Sequence, residues 1–192
     1  MAKIIYLHGF KSSGDSEKSK QLKKAFPNDK VIAPNLSASP KQAIQQIHNI
    51  IADNPEPTIV VGTSLGGFYA TYIACLYDIP AFVINPSLEP HVSLVNQIGK
   101  HQRYGTGEDY EFHSHYIDEL KSLFDKLHSS EIESQNLHFY LADNDDVVTF
   151  DKLDTLFPDR AHVKTFKGAG HRFSAFPEIF PDIQKVLDKF KK

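Results

Sequence analysis

The chain lacks most of the features that would take it outside the ordinary globular enzymes. Its 192 residues contain no run of eighteen or more apolar residues, so no membrane-spanning helix is expected. Met1-Ala2-Lys3 leads straight into the strand-like Ile4-Ile5-Tyr6-Leu7, without the basic start and apolar core of an export signal. The single cysteine, Cys75, excludes an internal disulfide and a cysteine-based zinc site. It lies between Ala74 and Leu76 with no activating charge nearby, which fits a small buried core residue better than a nucleophile. An excess of one charge is also missing: 24 acidic and 21 basic residues are spread along the chain, for a formal charge of -3. That balance argues against a nucleic-acid surface or a polybasic membrane face. There is no internal repeat, low-complexity run or interdomain linker. A soluble, unexported, cytoplasmic protein is expected, with residues 1–192 forming one domain. Its 41% hydrophobic content suffices for a good core.

Six runs rich in β-branched and aromatic residues read as strands: Lys3 to Leu7, Lys30 to Ala33, Thr58 to Gly62, Ala81 to Asn85, Leu137 to Ala142 and His162 to Phe166. Helical patterns separate the early ones. The first starts near Asp15 or Ser16 and ends before Pro27. The second has Ser39 as N-cap, Pro40 at its first position, Gln42 completing a capping box and Ile44, Ile47, Ile50 and Ile51 on one face. Asn54-Pro55-Glu56-Pro57 stops it. Alternating strands and helices predict an α/β fold with a parallel sheet covered on both faces. The rhythm breaks at about 86–136, an insertion expected to hold a helix from Leu88 to Ile98 stopped by Gly99, a polar and aromatic stretch from His101 to His115, and an amphipathic helix carrying Ile117, Leu120, Phe124 and Leu127. Such an insertion lies over the carboxyl ends of the strands as a lid, or is an ordinary pair of surface helices. A last helix from about Pro181 buries Ile183, Val186, Leu187 and Phe190. The basic residues Lys185, Lys189, Lys191 and Lys192 read as a solvated face.

The third strand ends in Gly62-Thr63-Ser64-Leu65-Gly66, and an apolar run from Phe68 to Leu76 follows. Gly-x-Ser-x-Gly between a strand and a helix reads as a nucleophile elbow, where small neighbours let a strained serine pass the adjoining strand and helix. A serine hydroxyl needs a histidine to take its proton and an acid to orient that histidine. His171 stands on a Gly-Ala-Gly-His loop after the sixth strand. Asp143, Asp145 and Asp146 all follow the fifth, and Asp145, two residues before Val147-Val148, best matches a strand-end acid. The expected catalytic set is Ser64, Asp145 and His171, with Asp143 and Asp146 as competing acids. Backbone N–H groups of Leu65 and Phe10 are the expected oxyanion donors. His8 is expected to hold its loop by hydrogen bonds. Phe68, Tyr104 and Phe173, with Phe10, are candidates to line a substrate pocket, with core packing as the competing reading for each. Glu111, His113, His115 and Asp118 crowd together, but no partner motif of metal-ligand spacing accompanies them, and they read as a polar surface of the insertion. Serine hydrolysis calls for no metal or cofactor.

Tyr6-Leu7-His8-Gly9-Phe10 with Ser12-Ser13, Gly62-Thr63-Ser64-Leu65-Gly66-Gly67-Phe68-Tyr69-Ala70, Ile84-Asn85-Pro86, Asp145-Asp146-Val147 and Gly170-His171-Arg172-Phe173 together resemble the small bacterial esterases of the YqiA/YcfP type. These form a compact branch of the α/β-hydrolase superfamily, and the likeness spans essentially the whole chain. The chain departs from that pattern in having Asp146 where the family usually has glutamate, and in lacking a glycine just before it. The resemblance implies a single-domain α/β-hydrolase with strand order 2-1-3-4-5-6 among the six expected strands. It also implies esterase or thioesterase activity on small acyl substrates. The alternatives are an acyl-CoA thioesterase within the same chemistry, or a non-catalytic binding or regulatory protein that keeps the fold.

Overall fold

The computed structural model describes residues 1–53, 56–129, 136–158 and 162–190. Asn54, Pro55, Lys191 and Lys192, which carry part of the expected helix stop and basic tail, lie outside those residues. Six strands form one sheet: β1 (Lys3–Leu7), β2 (Lys30–Ile32), β3 (Thr58–Thr63), β4 (Ala81–Ile84), β7 (Leu137–Ala142) and β8 (His162–Phe166). Their order is β2-β1-β3-β4-β7-β8, and every pairing is parallel. All carboxyl ends therefore meet along one edge of the sheet.

The two-residue period of the strands divides the core. Ile4 and Tyr6, Ile59 and Val61, and Phe82 and Ile84 face one side, where they meet Leu22 from α1 (Glu17–Ala25), Phe26 just after it, and Ile183, Val186 and Leu187 from α7 (Phe180–Lys189). Ile5, Leu7, Val60 and Val83 face the other. There they pack under α2 (Pro40–Ala52), α3 (Leu65–Tyr77) and α5 (His115–Ser129). Because β1, β3 and β4 are buried on both faces, they read as unbroken apolar runs rather than alternating ones. Phe190, expected on the buried face of α7, is instead exposed just beyond the helix end.

Two polar contacts fix how the helices sit. Ser39 Oγ accepts the Gln42 N–H as expected, but the return half of the capping box is not made, because Gln42 Oε1 accepts from Ser37 Oγ at 2.8 Å. Glu119 of α5 binds this helix start instead, accepting from Ser39 Oγ at 2.8 Å and Lys41 N–H at 3.0 Å. At the other end of α2 the fully buried Lys3 donates to the carbonyls of Ile50 and Ile51, whose intrahelical partners run out there.

The insertion differs from its expected form. Pro90 opens only a four-residue helix, α4 (Pro90–Ser93), followed by a short 3-10 turn at Val95–Gln97. Gly99, expected as a helix stop, begins a two-stranded antiparallel hairpin of β5 (Gly99–Gln102) and β6 (Asp109–Phe112). Here His101, Tyr110 and Phe112 turn inward while Lys100, Gln102, Asp109 and Glu111 face out. Gly105 and Gly107, with φ of +86° and +68°, make the left-handed turns that join the strands. Three inward rings of the hairpin, His101, Tyr110 and Phe112, meet Phe10 edge-on at centroid distances of 5.3, 6.0 and 5.1 Å. Arg103 then ties the hairpin down by donating to the carbonyls of Ser12 at 2.9 Å and Leu36 at 2.7 Å, while its neighbour Tyr104 donates its N–H to the Lys11 carbonyl at 2.7 Å. Among the described residues no helix is long and apolar enough to cross a membrane.

Candidate active site

Ser64 sits at the turn between β3 and α3 with φ +56° and ψ -119°, a conformation that non-glycine residues rarely hold. Four backbone bonds hold it there. Its N–H donates to Ile84 O at 3.0 Å, and its carbonyl accepts from the N–H groups of Gly67, Phe68 and Ser87 at 2.9, 3.2 and 3.1 Å. Gly66 and Gly62 make the turn sterically possible: a Cβ on Gly66 would lie 2.1 Å from Leu7 O, and one on Gly62 would lie 2.1 Å from Gly66 O. Gly9 brings the loop after β1 alongside, since a Cβ there would stand 3.2 Å from Ser64 Cβ.

The last two strands bring their loops together in step. Asp143 Oδ1 accepts the Gly168 N–H at 2.8 Å, and Asn144 Oδ1 accepts the Gly170 N–H at 2.8 Å. Asp145 accepts from His171 Nδ1 at 3.0 and 2.8 Å through its two oxygens. Asp145 Oδ1 also accepts the N–H groups of Val147 and Val148, so its buried side chain, 1% exposed, is fully engaged. The His171 side chain is 22% exposed. Facing a carboxylate, its Nδ1 carries the proton, and Nε2 is left as the basic nitrogen. Of the three competing acids, Asp145 is the one that meets His171. Asp143 holds the histidine loop by its backbone, and Asp146 is exposed.

Ser64, Leu65, Phe10, His171 and Tyr104 all line one cavity of about 620 Å³ at the carboxyl edge of the sheet. Tyr104, from the hairpin, is 63% exposed at its mouth. Phe68 and Phe173, also expected as pocket walls, are not brought there. Phe68, in the first turn of α3, is buried in the core between that helix and its neighbours, and Phe173, at φ +51°, is buried on the opposite face of the sheet against Phe166. His8 is buried, with Nδ1 on Gly9 O at 2.9 Å and Nε2 accepting the Leu36 N–H at 3.1 Å. Burial lowers its pKa to about 4, the Gly9 bond opposing this and the Arg103 charge adding to it, so it stays neutral and holds the loop. Glu111 and His113 approach to 3.9 Å on the exposed side of the hairpin, and among the described residues no three such side chains converge as metal ligands would.

One residue at the site has no role in the sequence reading. Asn85, after β4, is 0% exposed with φ +40°. Its Oδ1 accepts the Ala142 N–H at 2.8 Å, and its Nδ2 donates to the carbonyls of Gly170 and His171 at 2.9 and 3.2 Å. It thus joins β4, β7 and the histidine loop. Its signal in the sequence is an Asn-Pro pair closing an apolar strand, which favours a left-handed turn but does not reveal partners 57 to 86 positions away.

Residues 3–188 match the model of the uncharacterised protein family UPF0227. The chain belongs to the UPF0227 family. Within that family it is 28% identical over 178 residues to a protein of Shewanella oneidensis, covering 85% of this chain and 98% of the relative. It is 37% identical over 108 residues to a protein of Vibrio atlanticus, covering 53% of this chain and 60% of the relative's length. Solved structures place this UPF0227 member in the α/β-hydrolase fold. Est1E from Butyrivibrio proteoclasticus with ferulic acid bound matches with a TM-score of 0.76 at 12% identity, over 100% of this chain and 90% of that one. The mouse alpha/beta hydrolase domain-containing protein 10 matches at 0.74 and 18%, over 97% and 90%.

Proposed function

We propose that this UPF0227 protein is a serine hydrolase that cleaves small carboxylic esters or thioesters through an acyl-enzyme. The observation that carries the reading is the Asp145–His171 pair opening onto the same cavity as the strained Ser64. His171 Nε2 takes the proton of Ser64 Oγ as the oxygen attacks the substrate carbonyl, and Asp145 stabilises the imidazolium that results. The N–H groups of Leu65 and Phe10 hold the oxyanion. His171 then protonates the leaving alcohol or thiol, the carbon–oxygen or carbon–sulfur bond breaks, and the acyl group stays on Ser64. Water, deprotonated by His171, attacks the acyl-enzyme and releases the acid. No cofactor or metal enters these steps. Est1E binds ferulic acid, a small carboxylic acid of the kind that ester hydrolysis releases, which supports a small acyl ligand by analogy of fold. The reading treats residues 1–192 as one catalytic domain acting in the cytoplasm on a small molecule, with neither nucleic acid nor membrane as partner.

Ser64→Ala tests it directly. The variant keeps its circular dichroism, loses turnover of 4-nitrophenyl butyrate by at least about 10³-fold, and takes no label from a fluorophosphonate. Turnover that persists in the variant removes the serine mechanism.

A further inference from the structure

The cavity beside Ser64 is dominated by one sign of charge. Among the described residues that line it, Lys11, Lys18 and Arg172 are cationic and only Glu17 is anionic, in a chain whose formal charge is -3. Among the described residues no carboxylate forms an ion pair with Lys11 or Arg172. Lys11 is held at φ +61°, an angle unusual for lysine, directly after Phe10. Its ammonium lies 5.6 Å from the centre of the Phe10 ring. Lys18 donates to the Arg172 carbonyl and stands 5.6 Å from the Phe176 ring centre. Burial, and then the Arg172 charge, draw its pKa below the ordinary lysine value. Of these cations Lys18 and Arg172 lie close enough to repel one another, and a negative group beside them relieves that repulsion. Ser12 and Ser16 add hydroxyl donors to the same wall.

We propose that the substrate carries a negatively charged group, a carboxylate or phosphate, that sits against Lys11, Lys18 and Arg172 while its ester or thioester carbonyl lies at Ser64. This rests on the hydrolase reading of Ser64. A binding pocket made from three cations and hydroxyls selects charge and leaves the reacting bond to the groups around Ser64.

The test compares matched esters in the wild type and in a Lys11→Gln, Arg172→Gln double variant. 4-Nitrophenyl hemisuccinate against 4-nitrophenyl butyrate exchanges a methyl for a carboxylate on the acyl half. 4-Acetoxybenzoate against its methyl ester exchanges a neutral methoxycarbonyl group for a carboxylate on the leaving half. Intrinsic reactivity cancels when the charged-to-neutral ratio of kcat/KM is compared between proteins. The expected result is a ratio about tenfold lower in the double variant for at least one pair, from about 0.7 kcal/mol per partly exposed charge, and a wild-type ratio that falls as sodium chloride is raised. The pair that responds identifies the half that carries the charge. Ratios unmoved in both pairs, with butyrate turnover still abolished by Ser64→Ala, overturn the charged site and leave the hydrolase reading standing. If no ester is turned over, calorimetry with succinate and with 4-hydroxybenzoate tests the site alone. Binding about tenfold weaker in the double variant supports it, and no binding or equal binding overturns it.

Discussion

Asn85→Asp is the sharpest probe of how the histidine loop is held, because it changes one NH2 to one oxygen at a site with no exposure. The backbone tolerates the change, since aspartate, like asparagine, is among the few non-glycine residues that visit left-handed angles. The acceptor bond from Ala142 N–H survives. The other side of the group, which donated to the carbonyls of Gly170 and His171, becomes an oxygen facing two oxygens. Protonated, the new carboxyl donates once, so about one hydrogen bond is lost, roughly 1 kcal/mol. Ionised, it is a buried charge against two carbonyls, and both effects raise its folded pKa by about 3 units. A raised folded pKa means that stability is fully present below the unfolded value near 4 and is lost as pH climbs toward the folded value, by about 1.4 kcal/mol per unit. The variant is therefore expected to fall short of the wild type by about 1 kcal/mol at pH 4 and about 5 kcal/mol at pH 8. Urea denaturation of both proteins at each pH measures this, and taking the difference cancels the titrations they share. Ester turnover at pH 8, where His171 loses its backbone anchor, drops by about 10²-fold in parallel. A shortfall that is equal at the two pH values, or below about 1 kcal/mol at pH 8, refutes the assigned bonds.

Two more expectations separate neighbours. Asp145→Asn lowers kcat on 4-nitrophenyl butyrate by about 10³-fold or more, because an amide no longer stabilises the imidazolium; Asp143→Asn, which keeps an acceptor for the Gly168 N–H, stays within about threefold. The reverse order moves the acid to Asp143. His8 has a folded pKa depressed to about 4, so its contribution is present above pH 6.5 and lost as pH falls from there toward 4, about 3 kcal/mol in all. His8→Gln therefore flattens the acid limb of the stability profile read by urea titration, and an unchanged limb assigns the loss to other groups.

The sheet was legible because strands buried on both faces must be apolar throughout, and runs such as Ile59-Val60-Val61 cannot be accommodated elsewhere. Ser64 and His171 stood out because small residues flank them for steric reasons that act locally. Asp145 was separable from Asp143 only by its place before Val147-Val148, and those two N–H groups are the ones it accepts. What the sequence hid was set by distance. The hairpin alternates over only four residues a side and buries an arginine, so nothing in its composition separates it from an irregular polar and aromatic stretch until Phe10 supplies the surface it packs on. Asn85 and Lys3 are ordinary polar letters whose partners lie on other strands and helices. Phe68 and Phe173 were expected at the cavity from their nearness in sequence to Ser64 and His171, but both are buried in the core.

Beyond its packing on Phe10, the hairpin is fastened to the neighbouring loops through the carbonyls of Lys11, Ser12 and Leu36. Every residue type has a carbonyl, so this fastening sets no requirement on which side chains stand at those positions. The wall of the cavity and the chemistry of its floor are in that sense separately inherited. Mutation at positions such as 11 and 12 can change the side chains that line the cavity while the wall above it stays as it was built.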